Sequence, residues 1–290
     1  MSRLNCAIFE PPGGKFPIHG EISMECLKPD SFFDLDHYAH RDLFSGCDYT
    51  WEAFRNISGY MDKRLKSNVS SLGCFMRPLP KTIVLWKGEV LDSGFEIIGG
   101  DVTKGKFRVR IGGEETGEAA VLCEGCVLWD ELIFIGPGAV LEPGALVKGP
   151  AIVGARTEVR QGAYIRGKCI IGDRCVVGHT SEMKGSVMLD GAKAGHFAYI
   201  GDSILGNDSN LGAGTKLANL KINNRNIHLT VHGTRINTNL RKFGAVIGDK
   251  VEIGCNTVTN PGTMLGKNCQ VLALTSVRAG YYEPDSIIRR

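Results

Sequence analysis

From about residue 130 an aliphatic side chain returns at every sixth position: Ile135, Leu141, Val147, Val153, Val159, Ile165, Ile171, Val177 and Met183 hold the register without a break. A helix repeats its buried positions about every 3.6 residues and a half-buried strand every second one, so neither explains this period. Four positions after each aliphatic residue stands a smaller one: Ala139, Ala145, Ala151, Thr157, Ala163, Cys169, Cys175 and Ser181. Both sets face inward if each hexad forms one short strand and one turn, three hexads close a triangular coil, and successive coils pair as parallel strands.

The pattern survives two short steps, between Met183 and Met188 and between Ile200 and Leu205, each of which drops a residue that a corner can absorb. It resumes at Ile247, Ile253, Thr259, Leu265, Val271 and Val277, after a polar interruption at about 217–244. That interruption is too long for a turn. Its alternating Ile227, Leu229 and Val231 and a His-Gly step predict a hairpin arm projecting from the coil. Lys221, Arg225, Arg235, Arg241 and Lys242 fall within it, either to hold phosphates or as a solvated basic surface.

The first third reads differently. Helix-favouring spacing over 32–65, with an Asp30-Ser31 start, predicts two short helices, and 82–121 reads as short strands with Gly turns. The expected organisation is an α+β cap region at 1–120, closing the open end of the solenoid, and a β-helix at 121–290 with the inserted arm.

With 290 residues the chain can bury a substantial core without disulfides. Its net charge of +3 is spread through both halves, which gives no reason to expect nucleic acid or membrane as a partner. Residues 1–20 carry no apolar export signal, and no apolar run is long enough to span a bilayer, so the protein is read as cytoplasmic and its 10 cysteines as reduced. Cys123 and Cys126 have zinc or redox spacing without a second pair, and Cys169, Cys175 and Cys269 occupy the small inward slot, where they read as core filler.

The stretch KAGHFAYIGDSILGNDSNLGAGT, residues 193–215, resembles the acetyltransferase domain of the bacterial bifunctional enzyme that makes UDP-N-acetylglucosamine, a hexapeptide-repeat family. The resemblance extends less tightly over about 131–282, and the long arm ending in LRKFGAVIGD is similar to archaeal relatives. It implies an all-β fold, a left-handed parallel β-helix, although the general rule for parallel crossovers gives the opposite hand. It also implies a homotrimer with sites between subunits, and acetyl-CoA as co-substrate with an amino sugar phosphate as acceptor and no metal. The family's other half, a nucleotidyltransferase, has no counterpart here: PPGGKFPIHG, residues 11–20, lacks that motif's strand-loop-helix context.

Carried over residue by residue, the resemblance makes His196 the base that takes the amine proton and Glu182 the carboxylate that orients it. Arg166 and Lys184 match phosphate-contacting positions, and Tyr199 and Asn210 match contacts to the amino sugar. Ala213, Cys255 and Ala273 match the cofactor side, with Cys255 standing where the family has serine. His179, one coil before His196, is read as structural. Lys193 lies in the same motif, and Arg225 stands where the family has a lysine. Three other readings compete: N-acyl transfer to a nucleotide-linked amino sugar, a non-catalytic sugar-nucleotide-binding scaffold, and a zinc carbonic anhydrase, which would need three converging histidines.

Overall fold

The computed structural model describes residues 24–289. The PPGGKFPIHG stretch and the first part of the expected 1–120 region lie outside the described residues. The architecture is the left-handed parallel β-helix of hexapeptide repeats. Each coil places one short strand on each of three faces. The first face runs from Val127–Leu128 to Ser276–Val277, the second from Ile133–Ile135 to Gly280–Tyr282, and the third from Ala120–Leu122 to Ile287–Ile288. Registers such as Leu146↔Tyr164 and Ile165↔Met183 are in parallel alignment, and the shortened coils keep it: Glu182 pairs with Tyr199 and Val187 with Ile204.

The periodic residues form the core. Val147, Ile165, Met183, Ile200 and Leu217 stack in one fully buried ladder, flanked by the small residues Ala145, Ala163, Cys169 and Cys175. The hydroxyl of Thr157, in the same small slot, donates to the Gly172 carbonyl at 2.7 Å. Burial pushes the thiols of Cys169 and Cys126 up to about 12, which keeps them protonated and disfavours metal or redox chemistry.

Two expectations change. Among the described residues the N-terminal segment holds two α-helices, the single-turn Pro29–Phe32 and the longer Ala53–Arg64, the latter preceded by turns such as Thr50–Glu52. The Glu52 carboxylate accepts the amides of Asp48 and Tyr49 and so fixes the helix entry. The residues of this segment up to about 65 do not close the end of the coil, which falls to the later part of the expected cap region. Phe32, Phe33, Trp51, Ile57 and Met61 pack lengthwise against the second face, on Ile152, Ile170, Val187, Ile204, Val246 and Met264. The end itself is closed by residues 68–91: Asn68 exchanges hydrogen bonds with both backbone groups of Ile135, and Val69, Leu79, Ile83 and Leu85 cover the first coil.

The arm does not project either. Its hairpin, His228–Val231 with Thr234–Asn237, folds onto the same second face, burying Ile227, Leu229 and Val231. Phe243 sits between Trp51 and Phe54, and Arg55 donates to the Thr238 carbonyl, so the arm and the N-terminal segment form one cover. The physical reason lies in the second-face strands. AIV, CII and TML are apolar outward as well as inward, and leaving those outward side chains in water would cost about 1.5–3 kcal/mol each. Asp249 ties the cover down: its carboxylate accepts the Asp34 amide at 2.7 Å and the Asn207 amide at 2.7 Å.

Among the described residues no helix is long and apolar enough to cross a membrane.

Candidate active site along one edge of the coil

The edge between the third and first faces lies opposite the covered second face. At this edge one residue of each coil occupies the same place: His179, His196, Ala213, Cys255 and Ala273. Each of the first four passes its carbonyl to an amide of the next coil: Phe197 to His179 at 2.9 Å, Gly214 to His196 at 3.0 Å, Asn256 to Ala213 at 2.8 Å and Leu274 to Cys255 at 2.9 Å. The base and the cofactor-side residues expected from the sequence therefore stand in a single file, one strand spacing of about 4.8 Å per coil.

The corner needs a left-handed backbone just after the file, at Thr180, Phe197, Gly214, Asn256 and Leu274. Phenylalanine at φ 54° is a costly occupant of that position. Its ring lies between the two histidines, 5.4 Å from His179 edge-on and 6.1 Å from His196. His179 is pinned, its Nδ1 2.9 Å from the Gln161 carbonyl, and half-buried. His196 ends its strand exposed, so its imidazole is presented to whatever meets the edge.

Around the corner, the first face carries the phosphate-side residues. Arg166 donates to Glu182 at 2.7 Å, and this pair raises the Arg166 pKa. Glu182 is thus bonded to Arg166 and not to His196, whose partner it was expected to be. Lys184 donates to both oxygens of Asp202, at 2.9 and 3.0 Å. Asn219 donates to the same carboxylate and accepts from the Tyr199 hydroxyl at 3.4 Å. Burial and the neighbouring Glu182 hold the Tyr199 phenol above its ordinary range, so it remains a hydrogen-bond donor. Asp202 and Asn219 were not singled out from the sequence; Asp202 reads there as an ordinary turn residue, and Asn219 opens the arm.

Asn210 lies on the other side of the edge. It follows Lys193 on the third face and donates to Glu252 at 3.0 Å. Within one chain the candidate residues fall into three sets: Arg166, Glu182, Lys184 and Tyr199 on the first face, His196 and the cofactor-side file at the edge, and Asn210 on the third face. The arm cations are not among them, because the arm leaves from the corner between the first and second faces. His228 and His232 lie on the hairpin over the second face, so they do not converge with His196. Among the described residues no three His, Cys, Asp or Glu side chains are grouped to hold a metal. A groove of about 480 Å³ lies at the remaining vertex, lined by Asp34, Arg174, Asp190, Asn207 and Asp249, away from His196. The edge instead presents exposed apolar side chains: Phe197, Val258, Leu272 and Leu274.

Residues 147–242 match the family model described as the GMPPB C-terminal domain. The chain is 38% identical over 117 residues to the bifunctional protein GlmU of Methanococcus vannielii, covering 38% of this chain and 28% of that protein. It is likewise 38% identical over 108 residues to a bifunctional sugar-1-phosphate nucleotidylyltransferase/acetyltransferase of Sulfurisphaera tokodaii, covering 37% and 27%. The chain thus spans under a third of the length of these relatives. Among solved structures, the UDP-N-acetylglucosamine acyltransferase of Francisella novicida is 14% identical, with a TM-score of 0.35, over 54% of this chain and 58% of that one.

Proposed function

We propose that the protein is an acetyl-CoA-dependent N-acetyltransferase acting on an amino sugar that carries a phosphate at C1, with glucosamine-1-phosphate as the simplest member, in the supply of UDP-N-acetylglucosamine and cell-envelope precursors. The observation that carries this reading is the file at the open edge, where an exposed imidazole is followed coil by coil by the small or short Ala213, Cys255 and Ala273. Small side chains let a thioester approach the backbone, whose amides can stabilise the tetrahedral oxyanion.

In the reaction the neutral amine attacks the thioester carbonyl. A new N–C bond forms, the C–S bond breaks, His196 takes the proton from nitrogen, and the departing thiolate receives that proton back from the imidazolium to leave as the free thiol of CoA. Arg166 and Lys184 hold the phosphate. Both are paired with carboxylates in the free chain: the Arg166–Glu182 pair is largely exposed and worth only about 0–1 kcal/mol, so a doubly charged phosphate replaces that carboxylate at little cost, whereas the half-buried Lys184–Asp202 pair is held more firmly. Tyr199 orients the sugar, and Glu182 acts through Arg166. Asn210 lies on the third face and its own Tyr199 on the first, on opposite sides of the edge, which supports a homotrimer in which the first-face site residues of one subunit are completed by Asn210 of the next.

The test is thiol release from acetyl-CoA with glucosamine-1-phosphate. Wild type should turn over, and His196→Ala should lose about 10²–10⁴ of the rate while binding acetyl-CoA unchanged. Binding of both reactants with no thiol release by wild type would return the protein to the scaffold class.

A further inference from the structure

The first face continues below the site with residues that a sugar 1-phosphate does not reach. Its outward positions form two columns. One reads Trp129, Lys148, Arg166, Lys184, fixed by the Trp129 amide on the Val147 carbonyl at 2.8 Å and by the Lys148↔Arg166 register. The other reads Tyr164, Glu182, Tyr199. From the coil of Tyr199 down to Trp129 is four strand steps, roughly 19 Å at about 4.8 Å per step.

The three cations of the first column are not equivalent. Arg166 is engaged by Glu182 and Lys184 by Asp202, whereas Lys148 has no carboxylate within ion-pair distance among the described residues. Its ammonium lies instead over the Trp129 ring at 3.9 Å and within 5.5 Å of Tyr164. Trp129 is partly open to solvent, at 37% exposure. A flat aromatic surface beside a cation without a carboxylate, two coils below the Lys184 position, has the chemistry for a second phosphate followed by a planar base. The acetyl-CoA file runs the other way from His196, toward the C-terminal coils, so the adenine and phosphates of that co-substrate are not the natural occupants of this stripe.

We propose that the physiological acceptor is a nucleoside-diphosphate-linked amino sugar, with its amine at His196, its diphosphate across Arg166 and Lys148, and its base against Trp129 and Tyr164. The proposal rests on the acetyltransferase reading above and specifies the acceptor of that same site.

Uridine-diphosphate- and guanosine-diphosphate-linked glucosamine are compared with glucosamine-1-phosphate in the thiol-release assay, with the wild type and with Lys148→Ala and Trp129→Ala. At least one nucleotide-linked acceptor should exceed the sugar phosphate in kcat/KM by about ten-fold. Each variant should raise its KM by about ten-fold, leaving KM for glucosamine-1-phosphate and for acetyl-CoA within about two-fold. In parallel, UDP and GDP are titrated against tryptophan fluorescence, where the quench should vanish in Trp129→Phe. Equal use of all acceptors, a variant effect shared by every acceptor, or subunit dissociation of the variants by light scattering would overturn the proposal, the last by assigning the stripe to a subunit contact. If no acceptor is consumed, the acetyltransferase reading fails by itself. A quench that depends on Trp129 would then keep the nucleotide subsite, and its absence would remove that too.

Discussion

The second and first faces of the coil are built on the same hexads and the same inward ladder, yet one is sealed and the other open. On the second face the strands AIV, CII and TML are apolar on both sides, and the N-terminal segment and the arm lie on them. On the first face the corresponding strands LVK, YIR and EMK turn only the middle residue inward. The inward residue thus decides that a coil forms, and its outward neighbours decide whether that coil is covered or left to bind.

The contrast is sharpest where one side chain is removed from each region. His196→Ala on the open edge should abolish most turnover while shifting stability by less than about 0.5 kcal/mol, read as an unchanged thermal midpoint. Trp51→Ala under the cover should do the reverse. It should destabilise by about 3–5 kcal/mol in denaturant titration, with kcat retained in the molecules that remain folded. If Trp51→Ala cost no stability, the cover would be an ornament on a self-sufficient solenoid.

At the seam between cover and coil, Asp249→Asn should cost about 1–3 kcal/mol, because an amide places a donor where one of the two amide-accepting oxygens stood. The same residue carries a pH signature. Burial raises the folded-state pKa of Asp249, and of Asp190 likewise, above the ordinary carboxylate value. In that window the folded chain binds more protons than the unfolded one, so their contribution to stability is present at acid pH and is lost as pH rises through the raised pKa. Asp249→Asn should flatten part of this slope in melts across pH 3–7, a range of about four units around the carboxylate values.

The smallest effect belongs to the inward ladder of the open face. Thr259 occupies an aliphatic position with its hydroxyl buried and without a hydrogen-bond partner, so Thr259→Val should stabilise by about 1 kcal/mol. A loss of stability would mean that the hydroxyl is satisfied after all.

The hexad register was legible in the sequence because every inward position repeats the same demand for size and polarity, from Ile135 to Val277. The motif around His196 was legible too, and the file that joins it to Ala213, Cys255 and Ala273 follows once the coil length is known. The outward apolar residues of the second face, Ile152, Ile170 and Val246, stood equally in view. Their meaning depended on which face each triplet occupies, so the cover was read as an end cap and a free arm. The bond between Glu182 and Arg166, and the Lys184–Asp202–Asn219–Tyr199 chain, were hidden for another reason. These partners meet across coils or across a corner, and the choice of partner depends on side-chain reach, which no period encodes.

Because every turn adds the same rise along the reactive edge, the coil behaves as a graduated ruler. The separation between the imidazole and any group above or below it changes only in whole marks, whatever happens at the loops. A turn added or lost above His196 would re-gauge the protein for a longer or shorter donor arm while leaving the acceptor side untouched.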